Sequence, residues 1–410
     1  VNKPTAIGSD STSKPVMLDA DNTTLFQIKR REVLARRVLG QIRDYNISEP
    51  RNGPTFTPAQ AADLINRSTS SIRTAESEGR LPEQTRNSLN RREGYSLSQL
   101  DHMREVFGTR PWRSPADDPV VLAVQNFKGG VGKSTMSVHL AQYLAIHGYR
   151  VLLIDADAQA STTMLFGYIP DDDFGPWDSI AACLIPGDEE HYRPLPELIR
   201  KTHYHGLDLV PSNLNLYNAE YEIAGRMRAY GMNILTLLRD QIAAVANNYD
   251  VVILDPPPAL GMVSMSVLLA ANALLIPMPP NVIDFASTTS FLSMLGQNME
   301  QLEEQGITAD YRFIQIAMSR NEDKWAQTQI AELASSVFQK TILTSELKSS
   351  AEFGNATSKQ KSVYDMSEST TNHQVRKRCL AQLNALNGEI EQLIRGQWPN
   401  TPAIDRQDRQ

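Results

Sequence analysis

The residues with the types and spacing to handle phosphate cluster in three stretches. The first is Lys128-Gly129-Gly130-Val131-Gly132-Lys133-Ser134-Thr135. It follows an apolar, β-branched run, Val120 to Val124, and precedes a helical spacing of Val138, Ala141, Leu144 and Ala145. In a strand, glycine-rich loop and helix, backbone N–H groups turn inward around phosphate oxygens. The helix N-terminus adds partial positive charge. Lys133 is then expected at the β- and γ-phosphates, and the Ser134 hydroxyl on Mg²⁺. The second stretch ends at Asp255, after the apolar Val251 to Leu254. A carboxylate there holds Mg²⁺, usually through water. The third ends in Asp155 and Asp157, after Val151 to Ile154. Transfer of a phosphoryl group to water needs that water held in place and its developing charge stabilised, which a nearby carboxylate can do.

These residues need strand ends to carry them. From Pro119 onward strands and helices alternate. Strands are expected at 120–127, 151–155, 207–211, 251–255, 273–277 and 312–318. Amphipathic helices are expected at 134–147, 214–225, 233–247, 284–305, 324–339 and 375–394. This is an α/β pattern, a doubly wound parallel sheet, and its ligands belong at the carboxyl ends of the strands. Gly167 to His205 is rich in Pro, Asp and His and reads as surface excursions. His203 and His205 form an H-x-H pair with nothing nearby to complete a metal set.

The chain of 410 residues is long enough for more than one domain. Its net charge of −7 hides an asymmetry. Residues 1–115 carry 18 Lys and Arg against 13 Asp and Glu, and the remainder 22 against 34. A basic N-terminal part on an acidic body fits a local nucleic-acid surface. Residues 1–22 read as a polar tail. Residues 23–48 read as a helix whose stripe of Leu34, Val38, Ile42 and Tyr45 must be buried on its own domain or on a second copy, with dimerisation favoured. Within 49–110, Thr57, Pro58 and Gln60 start a first short helix and a second runs from Thr69 to about Glu78. That is helix-turn-helix organisation. Thr69, Ser70, Ser71, Arg73 and Thr74 are then placed to reach DNA. A hairpin wing would carry Arg86, Arg91 and Arg92, and 97–107 is a further helix. Residues 111–118 read as a linker, 119–398 as the catalytic body and 399–410 as a tail.

KGGVGKST, with its extra Lys128, resembles the deviant P-loop of the ParA/MinD/Soj ATPases, and the chain as a whole resembles the large plasmid-type ParA partition ATPases. The order GRLPE, RREGYS and LSQL likewise resembles a MerR-like winged helix-turn-helix, which large ParA proteins carry. The resemblance implies ATP/ADP and Mg²⁺ as ligands and a homodimer that sandwiches ATP, with Lys128 crossing to the partner's nucleotide. It also implies Asp157 as the water-positioning residue, although Ala158 stands where relatives often have Pro. Asp155 is placed beside Mg²⁺ or in the water network. Arg320 and Asn321 fall where relatives contact the base. Non-specific DNA binding in the ATP state is implied as well. Lys324, Lys348, Lys359, Lys361, Arg376, Lys377 and Arg378 are its candidates. The implied partners are a ParB-type protein, operator DNA and non-specific DNA, in a cytoplasmic, nucleoid-associated setting. A nucleotide-sensing repressor of its own operon, without a segregation role, is the alternative. MinD-like membrane cycling would need a basic amphipathic C-terminal helix, which GQWPNTPAIDRQDRQ does not offer. Iron–sulfur electron transfer would need paired cluster cysteines, and Cys183 and Cys379 lack that context. No apolar run of about 20 residues suggests a membrane span.

Overall fold

The computed structural model describes residues 24–47, 51–82, 94–366 and 372–402. Two units part between Pro50 and Arg51. In the first, the helix Thr24–Ile47 exposes Leu25, Ile28, Val33, Leu34, Val38 and Leu39. Side chains from Ile42 onward in this helix lie outside the described residues.

The second unit opens with a small helical part. β1 (Thr55–Phe56) pairs antiparallel with β2 (Tyr95–Ser96). Between them lie helices Pro58–Leu64 and Thr69–Ser77, and Leu97–Phe107 follows. The first has the expected capping box, with Thr57 and Gln60 satisfying each other's backbone N–H. The second is capped by Ser68, whose Oγ accepts from Ser71 N at 3.1 Å. Ala61, Ile65, Ile72, Ala75, Leu100 and Met103 close the core of this part. Arg104 anchors it to the rest of the unit. Its fully buried guanidinium pairs with Asp101 at 2.7 Å and donates to Ile146 O at 2.6 Å. Residues 83–93, including Arg86, Arg91, Arg92 and most of the expected wing, lie outside the described residues.

The body is an eight-stranded sheet. In chain order its strands are β3 (Val120–Val124), β4 (Val151–Asp155), β5 (Arg200–Lys201), β6 (Leu207–Val210), β7 (Val251–Asp255), β8 (Ala273–Met278), β9 (Phe313–Asn321) and β10 (Leu347–Lys348). They lie in the order β10-β9-β8-β3-β7-β4-β6-β5. All pairs are parallel except β5–β6. Strand residues alternate between two cores. Val120, Leu122 and Val124 enter the one beneath helices Lys133–Ile146 and His373–Arg395, while Val121 and Ala123 enter the other. Helices on both faces make the strands continuously apolar, and each Val, Leu or Ile so buried contributes roughly 1.5–3 kcal/mol.

Several expectations change. The edge strand β5 is antiparallel, and two residues are too few to show a pattern. The supposed excursions of 167–205 bury Ile180, Cys183, Leu184, Leu195 and Leu198 in the second core. Helix Met262–Ala270 was not expected, because all but its first residue is buried and no stripe results. The linker is no loose tether. Arg113, 6% exposed, donates to Tyr249 O, Ala246 O and Asp117 O. Asn400 and Thr401, read as tail, donate to the Asp117 carboxylate. Residues 403–410 lie outside the described residues.

Candidate nucleotide site

β3 is the inner strand between β8 and β7, so its carboxyl end delivers the glycine-rich loop to the middle of the sheet edge. Gly130 (φ 77°) and Gly132 (φ 103°) lie in the left-handed region, where a β-carbon is strained. Helix Lys133–Ile146 starts directly after Gly132, with no side chain capping it. Its first N–H groups therefore point into a cleft of about 690 Å³ that Gly129, Gly130, Lys133, Ser134, Thr135 and Asp157 help to line. That volume suits a nucleotide. Val131 is buried, and its carbonyl accepts from Ser319 Oγ at 2.8 Å. Lys133 is buried too, its Nζ 3.4 Å from Lys128 O. Burial lowers its pKa, against the pull of Asp255 and Asp157.

The three aspartates divide. Asp155 and Asp255 are register partners on β4 and β7, both fully buried. Asp255 accepts from Thr162 Oγ1 at 2.7 Å and Ser137 Oγ at 3.3 Å. The nearby Ser134 hydroxyl also favours its charged form. Asp155 Oδ2 accepts from Thr163 N and Oγ1 at 2.8 and 2.7 Å, and Oδ1 from Asp157 N at 3.2 Å. Burial raises both pKa values, and the charge of Asp255 adds to the rise at Asp155. Only Asp157 of the three lines the cleft. Asp155 thus braces the loop between Asp157 and Thr163, and like Asp255 it stands behind the cleft wall. Ser134 and Asp255 fit a water-rich Mg²⁺ shell, with phosphate oxygens completing it.

Lys128 Nζ lies 2.6 Å from Asp284 Oδ1. The lysine is 40% exposed and the aspartate 5%. Asp284 sits in the first turn of helix Val282–Glu303, where Asn281 Oδ1 accepts its backbone N–H at 2.9 Å. The Asn281-x-x-Asp284 cap is spelled in the sequence, so the partner of Lys128 had a readable signal. Arg320, a non-glycine residue at φ 53°, donates to Gly130 O and lines the cleft. Asn321 does not line it. Its amide donates to Glu346 Oε2 at 2.7 Å beside a separate acidic hollow. The expected base contact is corrected for this residue.

The basic candidates disperse. Lys348 pairs with Asp323 at 2.7 Å and lines the nucleotide cleft. Lys324 pairs with Glu322, and Arg376 donates to Met366 O. Lys359 and Lys361 are half-buried after helix Ala351–Ser358, while Lys377 and Arg378 are exposed near the start of His373–Arg395. In the N-terminal part Ser70, Arg73 and Thr74 are exposed, and Thr69 and Ser71 half-buried. His203 and His205 bond different carboxylates, Asp365 at 2.8 Å and Asp101 at 3.4 Å. Among the described residues no group of three or more His, Cys, Asp or Glu could hold a metal ion. No helix among them is long and apolar enough to cross a membrane.

A family model described as an AAA domain matches residues 120–308. Protein SopA of Escherichia coli strain K12 is 34% identical over 293 residues, 69% of this chain and 74% of SopA. The putative replication protein A of Sinorhizobium fredii is 30% identical over 357 residues, 84% of this chain and 86% of that protein. The chain belongs to the ParA family of partition ATPases. The chromosome partitioning protein ParA of Myxococcus xanthus is 29% identical over 236 residues, 57% of this chain and 76% of that one. A solved structure of a "Partition Protein" shares the fold, with a TM-score of 0.65 at 22% identity over 91% of this chain and all of that one. The helical part is joined to the sheet body through Arg104, and the segment that follows it through Arg113.

Proposed function

We propose that this chain is a Mg²⁺-dependent ATPase that segregates plasmid DNA with a ParB-type partner. The observation that carries this reading is the pair of lysines in one glycine loop: Lys133 buried inside the cleft, and Lys128 at its rim, held by Asp284. Lys133 and the loop N–H groups bind the phosphates, and Ser134 with Asp255 would hold the metal. Mg²⁺, when bound, neutralises charge between the β- and γ-phosphates. Asp157 lines the cleft and orients water for attack. Lys128 exchanges Asp284 for the nucleotide of a second copy, which couples ATP to dimerisation. The ATP-bound dimer then binds DNA without regard to sequence, and hydrolysis releases it.

Operator binding and repression of the par operon form a second role, favoured by the exposed Ser70, Arg73 and Thr74 on a helix firmly capped by Ser68. The test is steady ATP turnover with Mg²⁺, in the wild type and in Lys133→Ala. Slow turnover that DNA accelerates, and that Lys133→Ala abolishes, is expected. Turnover no greater than that of Lys133→Ala would contradict the reading.

A further inference from the structure

Arg51 opens the larger unit, far in sequence from every motif, and it rests half-buried on the back of the nucleotide cleft. Its Nη1 donates to Leu165 O at 3.3 Å and its Nη2 to Gln360 O at 2.9 Å. Leu165 and Gln360 both line the cleft, from opposite parts of the chain. Leu165 ends the short helix that follows Asp157, and Gln360 closes the segment after helix Ala351–Ser358. The guanidinium occupies the space that a side chain on Gly167 would take. Gln360 holds φ at 54°, an unusual backbone for a residue other than glycine, at the very carbonyl Arg51 grips. Two residues on, Gly53 passes so close that a β-carbon would stand 2.5 Å from His203 O. His203 in turn binds Asp365, which also accepts from Ser362 N at 2.9 Å in the segment after Gln360. Asp365 offsets part of the cost of burying the Arg51 charge. A planar, two-pronged donor suits the bridging of two carbonyls; a lysine offers a single point.

We propose that Arg51 is a positioning residue of the nucleotide cleft. It sets the spacing of the Asp157-side and Gln360-side walls and lets the N-terminal part of this unit sense whether nucleotide is bound. This rests on the nucleotide reading above. A ligand that draws the two walls together must move the Arg51 clamp, and the chain from Arg51 to the strand at Thr55 moves with it.

The experiment is hydrogen exchange of the full chain with and without a non-hydrolysable ATP analogue, alongside titration of that analogue. It compares wild type, Arg51→Ala and Arg51→Lys. In the wild type, nucleotide changes exchange across 55–82 and 95–107. In both variants that change is lost and nucleotide affinity falls about tenfold, the scale of losing a charged hydrogen-bonded bridge. Arg51→Lys fails although it keeps the charge. A variant that melts earlier yet keeps the nucleotide-dependent change at 55–107 overturns the proposal and leaves Arg51 a stability residue. A wild type that binds nucleotide with no change at 55–107 overturns this proposal alone. A wild type that does not bind the analogue sinks the nucleotide reading with it.

Discussion

The nucleotide cleft and the helix Thr24–Ile47 are built in opposite ways. At the cleft and its wall, charged groups are partnered: the buried Lys133 against Lys128 O, the buried Asp255 against Thr162 and Ser137, and the partly exposed Lys128 against the buried Asp284. The helix exposes Leu25, Ile28, Val33, Leu34, Val38 and Leu39 within its own unit. A site whose polar atoms are satisfied internally is preorganised for a small ligand. A helix with its apolar stripe in water gains its stability from a partner surface, here proposed to be a second copy. The contrast teaches that this chain partners its charged site internally and leaves its apolar helix face for assembly.

The contrast can be broken by experiment. The largest effect is expected at Lys133. Lys133→Ala removes the buried phosphate ligand and should weaken ATP binding by more than about a hundredfold, read by nucleotide titration. Near-normal binding would show that the cleft is not the nucleotide site. Asp157→Asn should leave binding within about threefold of wild type but slow single-turnover hydrolysis by roughly a hundredfold or more. An unchanged rate would remove Asp157 from the chemistry. The double change Leu34→Glu, Val38→Glu should abolish any nucleotide-independent dimer, measured by sedimentation, while ATP binding stays as it was. A dimer that survives would assign the stripe to intramolecular packing.

The smallest effect is a pH dependence. His139 Nδ1 donates to Thr135 O (2.6 Å), and its Nε2 accepts from Val363 N at 3.1 Å. That second bond requires a bare Nε2, so the ring is neutral with its proton on Nδ1. Burial depresses its pKa from 6.5 to about 4, although Thr135 O and Asp365 favour the cation. The unfolded chain takes up this proton as pH falls below 6.5, and the folded one only near 4. Stability is therefore lost between those values, by about 2 kcal/mol at pH 5. Urea unfolding at pH 7 and pH 5 should show this loss in the wild type and a smaller one in His139→Asn. Equal losses in the two would place the acid sensitivity elsewhere.

Much of the body was legible because chemistry and burial leave marks in sequence. β-branched runs ending in Asp155 and Asp255 gave strands buried on both faces, and the glycine spacing gave the loop between strand and helix. What escaped has physical causes. Met262–Ala270 shows no stripe because it is covered on nearly every side. Asp155 and Asp157 look alike in D-A-D, and only the fold turns one onto Thr163 and the other into the cleft. Asn321 follows Arg320 at the end of β9, but the left-handed backbone at Arg320 (φ 53°) parts the two side chains, so one lines the cleft and the other meets Glu346. Arg113 and Arg51 sit in stretches that resemble loops, and their anchoring depends on carbonyls supplied from more than a hundred residues away. In the helical part, the capping box at Thr57 spelled one helix start and the structure adds a second at Ser96, whereas contact with bases leaves no comparable local mark.

The central claim is that ATP, acting through Lys128, switches this protein onto DNA. Fluorescence anisotropy of a labelled random-sequence duplex tests it directly, with ATP, ADP or no nucleotide, in the wild type and in Lys128→Gln. The account predicts tight, salt-sensitive binding only for the wild type with ATP. Binding that is the same in all three nucleotide conditions, or that survives in Lys128→Gln with ATP, would contradict it.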